Sequence, residues 1–234
     1  MVFWAKEHTL TTRKKKLSKN TKQKQKRKGF KMVVNLEQGS KEWLEYRRTK
    51  FNASETPILF NKGFMSIEKL AKVKLGLEPS YLEILQEKKY KTDREHKILN
   101  AVKKGQITEK TIRDTINAQY GTKFEPIVLT DDDDERFSAS LDGLDGDVVL
   151  EIKTSFNTWE HLMKRSGEIP ATYVYQCYHQ LMVSKAKKLL FVAGFINNDF
   201  ELKLASGLIE ANKDKFDLIR LKWENFSNKY LCFN

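Results

Sequence analysis

The sequence predicts an α/β (α+β) fold, a mixed central β-sheet flanked by helices on both sides. Two observations carry this expectation. Alternation of apolar and polar residues, the period of a strand with one buried face, recurs at about 124–130, 136–142, 147–153, 188–195 and 199–205. Helical spacing precedes, separates and follows those runs, and strands set among helices favour a sheet covered on two faces. The 234-residue chain is long enough to bury a core without disulfides or metals, and no internal repeat divides it.

Residues 1–31 hold 12 Lys or Arg and one acid, Glu7, a net of +11, whereas the whole chain carries +12. The remaining 203 residues are therefore nearly neutral, and the basic balance says little about the globular part. Residues 1–33 are predicted to be a disordered polybasic tail and 34–234 a single domain. The tail is either an arm that binds phosphates by counterion release or a dispensable extension preceding Met32, and both readings stay open. Ser40 to Arg48 is predicted as a short helix with Ser40 as N-cap and Trp43 as a core anchor. A second helix opens at Asn52-Ala-Ser54-Glu55, a third covers Ser66 to Leu75, and a long charged one covers 79–103, broken at Gly105. A helix over 108–120 is marked by Ile112, Ile116 and Tyr120 at spacing four, with Gly121 as its stop. After the central strands come helices at 157–165 and 172–185, and a closing helix spans 210–229.

Cys177 and Cys232 are the two cysteines, too few for a disulfide framework, a four-ligand zinc site or a four-cysteine iron–sulfur cluster. No apolar run reaches the length of a membrane span and no signal peptide pattern is present. The expectation is a soluble protein of a reducing compartment: cytoplasmic, intracellular in the host for a viral source, or nuclear for a eukaryotic one.

The chemistry concentrates in Ser140-Leu-Asp142-Gly-Leu-Asp-Gly-Asp-Val-Val-Leu-Glu151-Ile-Lys153. Alternation in two adjacent strands would bring Asp142, Glu151 and Lys153 onto one surface. Two carboxylates and an ammonium there suit a hard divalent ion that activates water against a phosphodiester. Taken alone, such a hairpin is more often a solvated turn. Glu109 and Arg113, four apart on one helix face, form a surface pair on the same terms. The run Asp131 to Glu135 is predicted to be a solvated loop, and Asp145 and Asp147 to serve the turn. His8, His96, His161 and His179 show no ligand spacing, and only His179 falls near the candidate site.

Four segments in order change the balance: Gln38-Gly-Ser-Lys-Glu-Trp43-Leu-Glu-Tyr-Arg47 with Asn52-Ala-Ser54-Glu55; Gly105 to Arg113; Ser140-Leu-Asp142-Gly with Glu151-Ile-Lys153; and Tyr175-Gln176-Cys-Tyr-His-Gln180-Leu. In these the sequence resembles the PD-(D/E)XK nuclease superfamily, specifically the phage lambda exonuclease and YqaJ-type viral recombinase family, over about residues 36–195. The resemblance implies a restriction-endonuclease-like core and a magnesium-dependent exonuclease, with manganese as the alternative ion, that digests linear double-stranded DNA from the 5′ end for phage-type recombination. It implies that Asp142, Glu151, Glu109 and the Ile152 backbone carbonyl hold metal and that Lys153 handles the water and the developing charge. It implies further that Arg47, Ser54, Ser140 and Gln176 position the phosphate, with Gln180 and Arg113 as secondary candidates. Gln180 stands where many of the wider superfamily have a tyrosine. Arg48, adjacent to Arg47, is an alternative for the same role. A single-strand annealing partner and a homotrimer around DNA are implied likewise. The rival expectations are a restriction- or repair-type endonuclease of the same fold and a non-catalytic nucleic-acid-binding protein.

Overall fold

The structure is a computed structural model that describes residues 32–86 and 93–231, with side chains over 33–84 and 104–231. The polybasic segment 1–31 lies outside the described residues. Met32 and Val33, placed in the tail by composition, belong instead to β1 (Met32–Val34), which pairs with β3 through Met32 to Thr130 and Val33 to Leu129. Three residues are too few to show a period, which is why alternation missed this strand.

The order then runs α1 (Lys41–Arg48), β2 (Phe51–Asn52), a 3-10 helix (Ala53–Phe60), α2 (Ile67–Lys74), α3 (Tyr81–Gln86), α4 (Asp93–Tyr120), β3 (Glu125–Thr130), β4 (Phe137–Asp145) and β5 (Val148–Lys153). It continues with α5 (Phe156–Lys164), α6 (Ala171–Ser184), β6 (Lys188–Ile196), β7 (Leu202–Glu210), α7 (Lys213–Phe226) and a short π-turn at Ser227–Leu231. The seven strands form one mixed sheet in the order β1-β3-β4-β5-β6-β7, with β2 alongside β4. Among the described residues only β5–β6 and β2–β4 are parallel. A parallel pair needs a crossover, and α5 and α6 supply the one between β5 and β6.

Two expectations change. α4 continues through Gly105 without a break, because a helix tolerates one interior glycine at a cost of about 1 kcal/mol. β7 begins at Leu202 rather than 199, since Asn197 to Phe200 form the hairpin turn, with Asn197 Oδ1 accepting from the Asp199 and Glu201 amides.

The two sheet faces carry different cores. Leu141, Val149, Phe191 and Ala193 pack with Leu162 of α5, Cys177 and Leu181 of α6, and Ile219 and Trp223 of α7. Leu150, Ile152 and Val192 pack on the other face with Ile112 and Ile116 of α4 and with Phe124. α4 can approach this closely because Gly194 leaves room. A Cβ there would lie 2.9 Å from Ile112 Cδ1 and 2.6 Å from Leu204 Cδ2. Trp43 and Leu44 of α1 bury against Val128.

The acidic loop is not simply solvated. Asp131 is fully buried, its Oδ1 2.6 Å from Lys185 Nζ at the end of α6 and its Oδ2 bound by Arg220 of α7. Asp133 Oδ2 also meets Lys185 Nζ at 2.5 Å. Repulsion within the run is offset by cations from two distant helices, which no local pattern announces. Asp131→Asn is expected to destabilise the protein by about 2–4 kcal/mol, somewhat less than the roughly 3–5 kcal/mol of a fully buried broken pair because both cations keep solvent contact. The urea midpoint would report it, and an unchanged midpoint would make the cluster dispensable.

Candidate active site

The site forms where β4 and β5 part. Their pairing runs Asp145–Val148, Leu144–Val149 and Gly143–Leu150, then stops. Between Leu141 and Leu144 the register against β3 shifts by one residue. This bulge places an extra residue in β4 at Asp142–Gly143, breaks the alternation expected there and bends the strand. Asp142 Oδ2 then accepts the Ile152 backbone N–H at 2.7 Å, so a side chain takes the place of the missing backbone partner. Gly143 is required beside it, since a Cβ there would lie 2.6 Å from Phe124 Cβ.

Asp142, Glu151 and Lys153 do converge, but by this bulge rather than by a flat hairpin. Glu151 and Lys153 share the face of Val149, under α6. Gln176 Nε2 donates to Glu151 Oε1 at 2.7 Å, Gln180 Nε2 to Glu151 Oε2 at 2.5 Å, and Lys153 Nζ lies 2.5 Å from Glu151 Oε1. Glu151 is buried, and both of its oxygens are met by these three side chains. Gln176, expected at the phosphate, is thus turned onto the carboxylate, and Gln180 is its counterpart on the second oxygen. From the opposite side α4 brings Glu109 and Arg113. Arg113 Nη1 donates to Glu109 Oε1 and to the Asp142 carbonyl, each at 3.1 Å. The i, i+4 pair, which spacing alone would leave on the surface and the family resemblance moves to the metal site, forms part of the site's wall.

Electrostatics separate these groups. Burial, reinforced by the Glu151 and Glu109 charges, pushes Asp142 well above the ordinary carboxylate range. Burial also raises Glu109, against the hydrogen bond and charge of Arg113. For Lys153, burial works to lower the pKa, but the Glu151 and Asp142 carboxylates outweigh it and hold the ammonium protonated.

Asp142 and Glu109, each raised in part by neighbouring carboxylate charge, present hard oxygens together with Glu151, and this set fits a hard divalent ion whose charge would relieve the repulsion. Among the described residues no group of three His, Cys, Asp or Glu side chains already closes around one point. Glu151 is occupied by Lys153 and two amides, and would have to share its oxygens with a bound ion.

A second group lies near β4. Arg47 of α1 donates through Nη2 to Ser54 Oγ at 2.8 Å, and its guanidinium stacks 4.5 Å above the Trp43 ring. Trp43 Nε1 donates to Ser140 Oγ at 3.0 Å. Arg47, Ser54 and Ser140 are thereby linked through Trp43, which is more than the core anchor it looked. Arg48, the alternative to Arg47, lines the same cleft and pairs there with Glu83 of α3. Arg47, Ser54, Leu44, Phe64, Met65 and Leu82 are among the residues lining a cleft of about 240 Å³. Burial lowers the Arg47 pKa, with Glu55 acting in the opposite direction.

His179 does not join either group. It is fully buried, its Nδ1 lies 2.6 Å from Thr56 Oγ1, and burial together with Arg220 and Lys74 lowers its pKa to about 3. Asp145 accepts the Lys123 N–H at 2.9 Å and Asp147 pairs with Lys187, both at the β4–β5 turn end.

No curated protein matches the chain. Among solved structures, the alkaline exonuclease LHK-Exo of Laribacter hongkongensis matches with a TM-score of 0.61 and 20% identity, over 82% of this chain and 92% of that one. LHK-Exo in complex with dAMP matches with a TM-score of 0.61 and 22% identity over the same shares. A phage related exonuclease from Haemophilus somnus 129PT matches with a TM-score of 0.51 and 12% identity, over 77% of this chain and 93% of that one. These likenesses establish a common fold. Among the described residues no helix is long and apolar enough to cross a membrane. Residues 42–187, more than half of the chain and every residue of the β4–β5 fork, match the YqaJ-like viral recombinase domain, and the chain belongs to that family.

Proposed function

We propose that the protein is a divalent-metal-dependent exonuclease that hydrolyses linear double-stranded DNA, from the 5′ end, leaving a 3′ single-stranded tail. The observation that carries this reading is the convergence of Asp142, Glu151 and Glu109 with a protonated Lys153 at the β4–β5 fork. Magnesium is the expected ion and manganese the alternative. It would be held by Asp142 and Glu151, with Glu109 and the Ile152 carbonyl completing the oxygen set. Bound there, it would acidify a water and offset charge on the scissile phosphate.

The remaining work falls to the chain. Lys153 presents its ammonium to the oxygens on which charge develops. Gln176 and Gln180 fix the orientation of Glu151, and Arg113 fixes Glu109 while holding the Asp142 backbone. Arg47 with Ser54 and Ser140 offers a guanidinium and two hydroxyls to a terminal phosphate. Support also comes from the fold shared with LHK-Exo, whose complex holds dAMP, a deoxynucleoside monophosphate of the kind such digestion would release. A homotrimer around DNA and a single-strand annealing partner belong to the same proposal through the family.

The test compares linear duplex bearing 5′-phosphate, linear duplex bearing 5′-hydroxyl, and covalently closed circle, each with magnesium or with chelator. Magnesium-dependent loss of linear DNA, fastest with 5′-phosphate and with the circle intact, is expected. Cutting of the circle would instead make the protein an endonuclease, and no hydrolysis with either ion would remove nuclease activity altogether.

A further inference from the structure

Beneath the Arg47 cleft lies a buried ion pair that the proposed chemistry does not use. Lys74, in the last turn of α2, has a side chain only 3% exposed, and its Nζ lies 2.6 Å from Glu55 Oε2. The same ammonium donates to the Arg47 carbonyl at 2.9 Å and to the Lys50 carbonyl at 2.5 Å. These belong to the end of α1 and the residues just after it, where carbonyls lack intrahelical partners and a cation is favoured. Asn52 Nδ2 shares the load, donating to the Arg47 carbonyl at 2.7 Å, to the Lys50 carbonyl at 3.1 Å and to Glu55 Oε2 at 2.9 Å. Glu55 is thus the common acceptor of a network that closes around the backbone of Arg47.

The charge count of this network is unusual for a purely structural one. A buried ammonium costs several kcal/mol unless its charge is matched. Here the buried Lys74 and the half-buried Arg47 are two cations that repel each other, and Glu55 is the carboxylate acting on both. Among the described residues no carboxylate forms an ion pair with Arg47, whose guanidinium donates to Ser54 and stacks on Trp43. The locality is therefore left with a surplus positive charge, presented at the cleft by Arg47. Glu55, which lines the same cleft, has its Oε2 engaged by Lys74 and Asn52 rather than by the guanidinium, so the fork stays open for an anion from outside.

We propose that Lys74, with Glu55, is a positioning pair for end recognition: it clamps the end of α1 and keeps the Arg47 guanidinium free for the terminal phosphate. This rests on the proposed reading of Arg47. Lys74 does not touch the DNA, and its effect runs through Arg47 alone. Glu55, when released from Lys74, would be free to turn onto Arg47 and compete with the phosphate.

The experiment measures kcat and KM on 5′-phosphoryl and 5′-hydroxyl linear duplex for wild type, Lys74→Met and Glu55→Gln. Met keeps the aliphatic stem beside Trp223, and Gln keeps the shape and an acceptor for Asn52. For Lys74→Met the 5′-phosphate preference should fall by about tenfold or more, the scale on which a displaced binding group costs rate. The fall should come through KM on the phosphorylated substrate, with the 5′-hydroxyl rate unchanged. Glu55→Gln, which loosens Lys74 but removes the competing carboxylate, should keep more of the preference than Lys74→Met. A parallel loss on both substrates, or an unchanged ratio in Lys74→Met, overturns the pair's role while leaving the Arg47 reading intact. A wild type that does not distinguish the two ends overturns the Arg47 reading itself. If Lys74→Met fails to fold, Glu55→Gln decides: an unaltered KM for the phosphorylated end overturns the proposal.

Discussion

Lys153→Ala should lower the rate of hydrolysis by about 10²–10³-fold, the cost of losing one preorganised charge at a reacting phosphate, while DNA binding stays within a few-fold of wild type. The ammonium sits 2.5 Å from Glu151 Oε1 and 5.0 Å above the Tyr173 ring, and Arg113 is committed to Glu109 and the Asp142 carbonyl. Single-turnover rates on linear 5′-phosphoryl duplex, beside a gel-shift of the same duplex in chelator, would measure both. A variant that digests DNA at the wild-type rate would remove Lys153 from the chemistry. The substitution also strips a cation from buried Glu151, so a lower melting temperature is expected alongside. No pH slope in the neutral range should come from Lys153. Its folded pKa is raised, so its contribution is complete below the ordinary lysine value near 10.4 and declines only as pH rises beyond it.

Much of this site was legible in the sequence because its parts lie on long periodic elements. Ile112 and Ile116 announced the helix that carries Glu109, and alternation announced the strands that carry Asp142, Glu151 and Lys153. What alternation could not show was the bulge at Asp142–Gly143, since a bulge exists only relative to a neighbouring strand. Gln176 and Gln180 entered through the family resemblance, yet their target did not, because helix periodicity names a face and not the group opposite it. The Asp131 cluster was misjudged for the same reason: its partners Lys185 and Arg220 lie 54 and 89 residues away. Lys74 carried no signal at all. A lysine in a charged helix is ordinarily solvated, and only the fold shows that it turns inward onto the end of α1.

Asp142→Asn should abolish activity and at the same time stabilise the metal-free protein. Burial and the charges of Glu151 and Glu109 raise the folded pKa of Asp142, and burial raises that of Glu109. A group raised on folding contributes fully below its unfolded pKa, near 4 for a carboxylate, and loses that contribution as pH climbs through the folded value. Metal-free wild type should therefore lose stability from about pH 4 upward on account of these two groups. Asparagine keeps an oxygen for the Ile152 N–H while carrying no charge, so it resembles the protonated aspartate at every pH. Its melting temperature should exceed that of wild type by about 2–8 °C at pH 8, corresponding to roughly 1–2 kcal/mol in a domain of this size, with the gap closing towards pH 4. Millimolar magnesium should narrow the gap at pH 8 by raising the wild type more than the variant, because a bound ion would offset the repulsion that the substitution has removed. Thermal melts from pH 4 to 8 in chelator and in magnesium would test each part. A variant that melts below wild type at pH 8 would mean that Asp142 is held for stability, and that the carboxylates at the fork do not repel. The expected pattern is the one that follows when three acids are kept close for a ligand that arrives later: stability is surrendered in the free protein and recovered on binding.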